Sequence, residues 1–167
     1  MAVSAYSTCT YEDIASECPD LLKWCQMYIF KDKETTTQFV RRAESSGYKA
    51  LLVTVDTGPL RKKKDFRNEL ELPDGARAAN FQDIACLKTM SVKEQMDEIN
   101  GLIEPCLNWS HVQWLKSITN LPVVLKGIMS AEDAREAVRY GVDGILVSNK
   151  GGRKIDVLPS TVSLLEH

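Results

Sequence analysis

The chain has 167 residues, enough for one domain with a core of its own. Hydrophobic residues make up 44% and charged residues 26%, and 21 basic against 23 acidic side chains leave a net charge of −2. That balance argues against nucleic acid or an anionic membrane surface as partner, and no apolar run approaches the roughly 18 residues of a membrane span. Met1 to Tyr6 has no basic flank and no long apolar core, so it does not read as a secretory signal. Leu165-Glu166-His167 is not the Ser-Lys-Leu peroxisomal address. The cysteines, Cys9, Cys18, Cys25, Cys86 and Cys106, are odd in number and widely spaced. They read as reduced thiols, buried or half-buried, in an intracellular protein, and not as a zinc site or a disulfide framework.

In chain order, residues 3–7 read as a strand end, and Thr10-Tyr11-Glu12-Asp13 as a capping box. Residues 24–30 form an apolar run of strand length. Asp32 caps a helix over 33–46, where Phe39, Val40 and Ala43 keep helical spacing and Gly47 marks the stop. Residues 50–55 are a nearly unbroken β-type run, suited to a parallel strand covered on both faces. A less regular stretch, 57–108, holds the basic run 61–64 and Pro73-Asp74-Gly75. Within it Ser91 and Glu94 form a second capping box, which predicts a helix over 91–103. Further helices are predicted over 109–118 and, opened by a capping box at Ser130 and stopped by Gly141, from 130 to about 140. Strands are predicted over 122–127 and 144–149, and Pro159 marks the start of a last helix. Strands alternating with helices long enough for crossovers indicate βαβ units and a parallel sheet. A full eight-fold barrel takes about 250 residues. The expected fold is therefore α/β, a partial TIM (β/α)₈ barrel with about half of the strands, as a single domain over 1–167.

In such folds the functional residues gather at the C-terminal ends of the strands. Those ends offer Gln26 and Tyr28 on one face, then Thr54 and Asp56, then Lys126, then Ser148, Asn149, Lys150 and Arg153. Amide and hydroxyl groups can hydrogen-bond a heteroaromatic edge, and Lys and Arg can hold an anion. Together they point to a site for a planar cofactor and an anionic substrate. Singly, Gln26 and Thr54 could satisfy backbone groups, and Lys126 could be a solvated strand end. His111 reads as a helix-surface residue, and too few histidines exist for a Ser-His-Asp or Cys-His arrangement. Gly151-Gly152 lacks the wider spacing of a phosphate loop.

Several motifs occur together: Trp24-Cys25-Gln26-Met27-Tyr28, Gly47-Tyr48-Lys49-Ala50, Thr54-Val55-Asp56-Thr57, Asp65-Phe66-Arg67-Asn68, Leu121-Pro122 through Lys126-Gly127, and Ser148-Asn149-Lys150-Gly151-Gly152-Arg153. From about Ser4 to its end the chain resembles the FMN-dependent 2-hydroxy-acid oxidases and dehydrogenases, and the glycolate (hydroxyacid) oxidases among them in particular. The resemblance implies FMN as cofactor, with Gln26, Thr54, Lys126 and Ser148 at its ring and Lys126 stabilising the reduced, anionic flavin. It implies Tyr28 and Arg153 as substrate-binding residues, Arg153 pairing with the carboxylate. Asp56 matches an aspartate that supports the catalytic histidine. The implied reaction turns an (S)-2-hydroxy acid, glycolate-like, into a 2-oxo acid, with O₂ as acceptor and H₂O₂ as product. The implied location is the peroxisome.

Three departures matter. The family reads Ser-Asn-His-Gly-Gly-Arg where this chain has Lys150, and the histidine is the expected base. Lysine, with a reference pKa of about 10.4, is protonated unless strongly desolvated, and a nearby Asp56 would hold it so. The loop after Thr57 is one residue shorter than in the family, so either Arg61 or Lys62 stands for its substrate-binding arginine, unless the loop is only a solvated basic segment. The family's first strands and its last two βα units, where such barrels bind the FMN phosphate, have no counterpart in this chain. Open sheet edges would then favour a homo-oligomer or pairing with full-length subunits. The sequence thus leaves three expectations. The first is an FMN oxidase, the second a catalytically impaired homologue acting as a partner, and the third a fragment without stable function.

Overall fold

Among the described residues, strands that follow one another in sequence pair in parallel. β1 (Ala2–Val3), β2 (Trp24–Met27), β3 (Leu51–Thr54), β4 (Val123–Ile128) and β5 (Gly144–Val147) form one sheet in the order β1-β2-β3-β4-β5. The structure is a computed structural model and describes residues 1–57, 76–84, 90, 92–153, 155 and 157–165. Parallel neighbours require crossovers. These carry helices α1 (Tyr11–Glu17), α2 (Lys33–Ser45), α3 (Val92–Leu102), α4 (Trp109–Ser117) and α5 (Ala131–Arg139), and α6 (Thr161–Leu164) follows β5. A sheet whose order never reverses is one arc of a (β/α) barrel and not a doubly wound sheet, whose order changes direction at a switch point. The expected partial barrel is what forms. Among the described residues β1 and β5 are its margins.

The strands alternate between two faces. Cys25, Met27, Leu51, Val53, Val123 and Leu125 are at most 1% exposed and join a cluster with Phe39, Val40, Val112, Leu115 and Ala137 of the helices. Each such side chain contributes roughly 1.5–3 kcal/mol by leaving water. Leu52 and Val124 are buried too but stand outside that cluster, on the other face with Gln26, Thr54 and Lys126. Burial thins toward β5, where Ile145 is 39% exposed and Val138 of α5 is 76% exposed.

Local chemistry sets the element ends. Thr10 Oγ1 accepts from the Asp13 amide, and the Thr10 amide donates back to the Asp13 carboxylate, a complete capping box. Asp32 accepts from the Glu34 and Thr35 amides to start α2, and Gly47, at φ +74°, follows its end. Ser130 caps α5 by accepting from the Asp133 amide, but Asp133 takes the Ser130 hydroxyl and not its backbone N–H, so that box is half formed. His111 is half-buried and its Nδ1 accepts from the Asn108 amide at 3.2 Å, which gives this expected surface residue a capping role in α4.

Other expectations need correction. The N-terminal strand is Ala2–Val3, because the Ser7 amide donates to the Ser4 carbonyl and turns the chain. The apolar run 24–30 leaves the sheet after Met27, since Phe30 bridges Ile103 and the Lys31 amide bonds the Leu102 carbonyl. The strand expected over 144–149 ends at Val147. Ser160, not Pro159, caps the last helix, which begins at Thr161. Cys9, Cys18 and Cys106 are exposed and only Cys25 is buried among the described free cysteines. Arg61, Lys62, the 65–68 motif, Pro73-Asp74-Gly75, Cys86, Ser91 and His167 lie outside the described residues.

The N-terminal ends of β4 and β5 are tied by Asp143, whose carboxylate accepts from Lys116 Nζ at 2.7 Å and from the Val123 amide at 2.8 Å. The Lys116 hydrogen bond, then the Val123 amide, hold its pKa below the ordinary aspartate value. A carboxyl with a depressed folded pKa stabilises above its unfolded pKa, near 3.9, and loses that contribution as pH falls through the folded value. The pair is half exposed, so Asp143→Asn should lower stability at pH 7 by no more than about 1 kcal/mol. Denaturant midpoints of the two proteins, measured from pH 7 down to pH 2, should converge in the acid range.

Candidate functional site at the C-terminal rim

The parallel sheet brings the C-terminal ends of its strands to one rim, and polar side chains meet there. Thr54 of β3 and Lys126 of β4 are register partners. Gln26 of β2 spans to both sides. Its Nε2 donates to Thr54 Oγ1 at 2.9 Å and to the Met27 carbonyl at 3.3 Å, while its Oε1 accepts from the Ala5 amide at 3.1 Å. Having accepted that bond, the Thr54 hydroxyl still has its own proton to donate.

Tyr28 lies just beyond β2 and is buried. Tyr6, from the loop after β1, meets its ring edge-on at 5.7 Å and donates its hydroxyl to Asn100 Oδ1 at 2.7 Å. Burial pushes both phenols up, and the Asp56 charge adds to the rise at Tyr28. Both therefore remain protonated donors at neutral pH.

Asp56 follows β3 and packs on the backbone of Gly127, which has φ +109°. A Cβ on Gly127 would lie 2.6 Å from the Asp56 Cβ and 2.8 Å from its Cγ. Both Asp56 carboxylate oxygens and Thr57 Oγ1 are buried without a hydrogen-bond partner among the described residues. Buried polar atoms are ordinarily hydrogen-bonded, so these three make the end of β3 a candidate site. Asp56 accordingly makes no hydrogen bond to Lys150.

After β5 the chain forms a tight turn over 150–152. Ser148 Oγ accepts from the Lys150 amide at 3.2 Å, and Asn149 Oδ1 accepts from the Gly151 amide at 3.0 Å. Lys150, Gly151 and Gly152 have φ of +53°, +63° and +71°. Lys150 is thus a non-glycine residue in the left-handed region, which L side chains adopt rarely. Arg153 follows, exposed.

The structure therefore brings Gln26, Tyr28, Thr54 and Lys126 to one rim, with Asp56 immediately beyond β3 and Ser148, Lys150 and Arg153 beyond β5. Arg61 and Lys62 lie outside the described residues. Reading the sequence alone missed Tyr6 and the steric role of Gly127. Tyr6 sits in a loop where no periodicity marks it, whereas Gly127, directly after Lys126 and inside β4, carried a readable signal. An amide, hydroxyls and an ammonium suit the carbonyl oxygens and ring nitrogens of an anionic heteroaromatic, so the donor set present fits a flavin ring.

Gly127→Ala should destabilise the chain by at least about 2 kcal/mol, from overpacking against Asp56 and the left-handed backbone together. Asp56→Gly in the same chain removes the struck atoms and should restore part of the loss. Thermal melts of both single variants and the double variant measure this coupling.

A family model described as FMN-dependent dehydrogenase matches residues 1–167. The 2-hydroxyacid oxidase 1 of Mus musculus is 43% identical over 175 residues, covering 99% of this chain and 46% of that protein. A peroxisomal (S)-2-hydroxy-acid oxidase of Oryza sativa subsp. indica is 41% identical over 167 residues, covering 99% and 45%. Among solved structures, a mandelate oxidase mutant with the C4a-OH-FMN adduct superposes with a TM-score of 0.78 at 34% identity, covering 98% of this chain and 43% of that one. The chain spans about half the length of the relatives it matches. With its parallel barrel arc and flavin-suited rim, this chain belongs to the FMN-dependent dehydrogenase family.

Proposed function

We propose that this chain forms the flavin- and substrate-facing arc of an FMN-dependent (S)-2-hydroxy-acid oxidase, glycolate-like in substrate. The observation carrying this reading is the line of Gln26, Thr54 and Lys126 along neighbouring strand ends, with Ser148 following β5. FMN, when bound, takes up the two electrons that leave the substrate α-carbon. Gln26, Thr54 and Ser148 would hydrogen-bond its ring edge, and the Lys126 ammonium would balance negative charge there. Arg153 would pair with the substrate carboxylate and Tyr28 would donate its hydroxyl to the substrate, with Lys62 or Arg61 as a second cation. The 2-hydroxy acid loses two electrons and two protons to become a 2-oxo acid, and O₂ takes both up as H₂O₂. A peroxisomal setting accords with the rice relative's name.

Lys150 favours a second reading for the chain by itself. An ammonium, with a reference pKa of about 10.4, has no free lone pair to accept the substrate proton at neutral pH. Turnover is then severely impaired, and the arc acts as a partner, in a homo-oligomer or beside full-length subunits. Fluorescence titration separates these readings. FMN emission should be quenched saturably by the purified chain, and absence of quenching would sink the flavin reading. Lys150→His should raise peroxide formation from glycolate by at least about a hundredfold. Equal rates in the two proteins would show that Lys150 is no impairment.

A further inference from the structure

We propose that Asn80 is a positioning residue for the Gln26 amide, acting through the backbone of Ser4 and Ala5; the inference rests on the flavin reading of the rim. Asn80 lies in a short turn, Ala79–Phe81, away from the sheet, and is 2% exposed. All four hydrogen-bonding places of its carboxamide are used. Nδ2 donates to the Ala5 carbonyl at 3.3 Å and the Ser4 carbonyl at 3.5 Å, and Oδ1 accepts from the Tyr11 amide at 2.9 Å and from Arg42 Nη2 at 3.1 Å. Arg42 also donates from Nη1 to the Asn80 carbonyl at 2.8 Å and is itself held by two 2.7 Å bonds to Glu12. The Ala79 amide bonds the Ser7 carbonyl, closing the turn onto the same loop. This donor and acceptor pattern admits one amide orientation only, because flipping it would set NH₂ against the Tyr11 N–H and the Arg42 guanidinium.

The consequence falls on Gln26. The loop so held presents the Ala5 N–H to Gln26 Oε1, which turns Gln26 Nε2 toward Thr54 Oγ1. Thr54 thereby accepts from Gln26 and keeps its proton for a ligand. With the Ala5 N–H displaced, only the long 3.3 Å bond from Nε2 to the Met27 carbonyl still opposes a flip of the Gln26 amide. Thr54 would then donate to Oε1, and its proton would be consumed within the protein. Asn80 thus sets the polarity of two groups at the rim from the far side of the β1 loop.

Asn80→Asp tests this in the full chain. The aspartate keeps both acceptor contacts but sets an oxygen against the Ser4 and Ala5 carbonyls. Amide exchange followed by NMR should accelerate at Ala5 about tenfold or more, beyond any change in β3 and β4. The Gln26 side-chain NH₂ resonances should move, and FMN should bind about tenfold more weakly. Arg42→Lys, which loses the fork on Asn80 but keeps the charge beside Glu12, should give a smaller change of the same kind and serves if the first variant does not fold. Glu12→Gln leaves the Asn80 contacts in place and should leave Ala5 and Gln26 unmoved. Exchange rising uniformly across the sheet, or Ala5 and Gln26 unchanged in both variants, would overturn the proposal. If the native chain fails to quench FMN, the flavin reading falls, while the Ala5 and Gln26 signals still decide the role of Asn80.

Discussion

Parallel pairing is the constraint from which the other features follow. A parallel ladder cannot be closed by hairpins, so each strand must be followed by a crossover, and its helix covers one face of the sheet. β3 shows the result most fully. Leu51 and Val53 sink into the helix-facing cluster while Leu52 and Thr54 occupy the other side, and all four are buried. Because the strands run the same way, their N-terminal ends share one rim and their C-terminal ends the other. Asp143, tied to Lys116 and Val123, secures the first rim. The second holds Gln26, Thr54 and Lys126. The Asp143 ties and the candidate site are thus separated by the length of a strand.

The C-terminal rim departs from the rules that the rest of the chain obeys. Elsewhere among the described residues buried side-chain polar atoms are hydrogen-bonded, as with Thr36, whose Oγ1 accepts from the Phe30 amide. Beyond β3, the Asp56 oxygens and the Thr57 hydroxyl are buried without partners among the described residues. Gly127 brings a backbone against Asp56 at a distance no side chain would permit. A chain of aromatic contacts, Tyr28 to Tyr6, Tyr6 to Phe81 and Phe81 to Phe39, joins this rim to the helix-facing core. The rim is therefore rigidly backed even though its own polar atoms are not satisfied.

Much of this was legible in the sequence. Caps and stops located α2 and α5 to within a residue or two, because Asp32, Ser130, Gly47 and Gly141 act locally, whereas α4 was placed without its Asn108 cap being read. Strand lengths were overestimated everywhere but at β4. The apolar run 24–30 continues past Met27 because Tyr28, Ile29 and Phe30 are buried outside the ladder, and hydrophobicity does not distinguish the two settings. The rim residues at Gln26, Thr54 and Lys126 followed from strand ends alone. Asn80 and Tyr6 did not, since their roles depend on contacts across 69 to 94 positions of sequence. The cysteines show a further limit: Cys9, Cys18 and Cys106 are exposed although their residue type favours burial.

The turn after β5 carries one more implication. Lys150 holds a left-handed backbone, which costs a residue with a side chain roughly 1–2 kcal/mol. Nothing about a lysine side chain asks for that conformation. Its neighbours do: Asn149 gathers the Gly151 amide, Ser148 gathers that of Lys150, and Asn149 Nδ2 reaches the Pro159 carbonyl. In each of these three bonds a Ser148 or Asn149 side chain holds a backbone group. None of the three draws on the side chain at position 150, so a different side chain there would leave all three available.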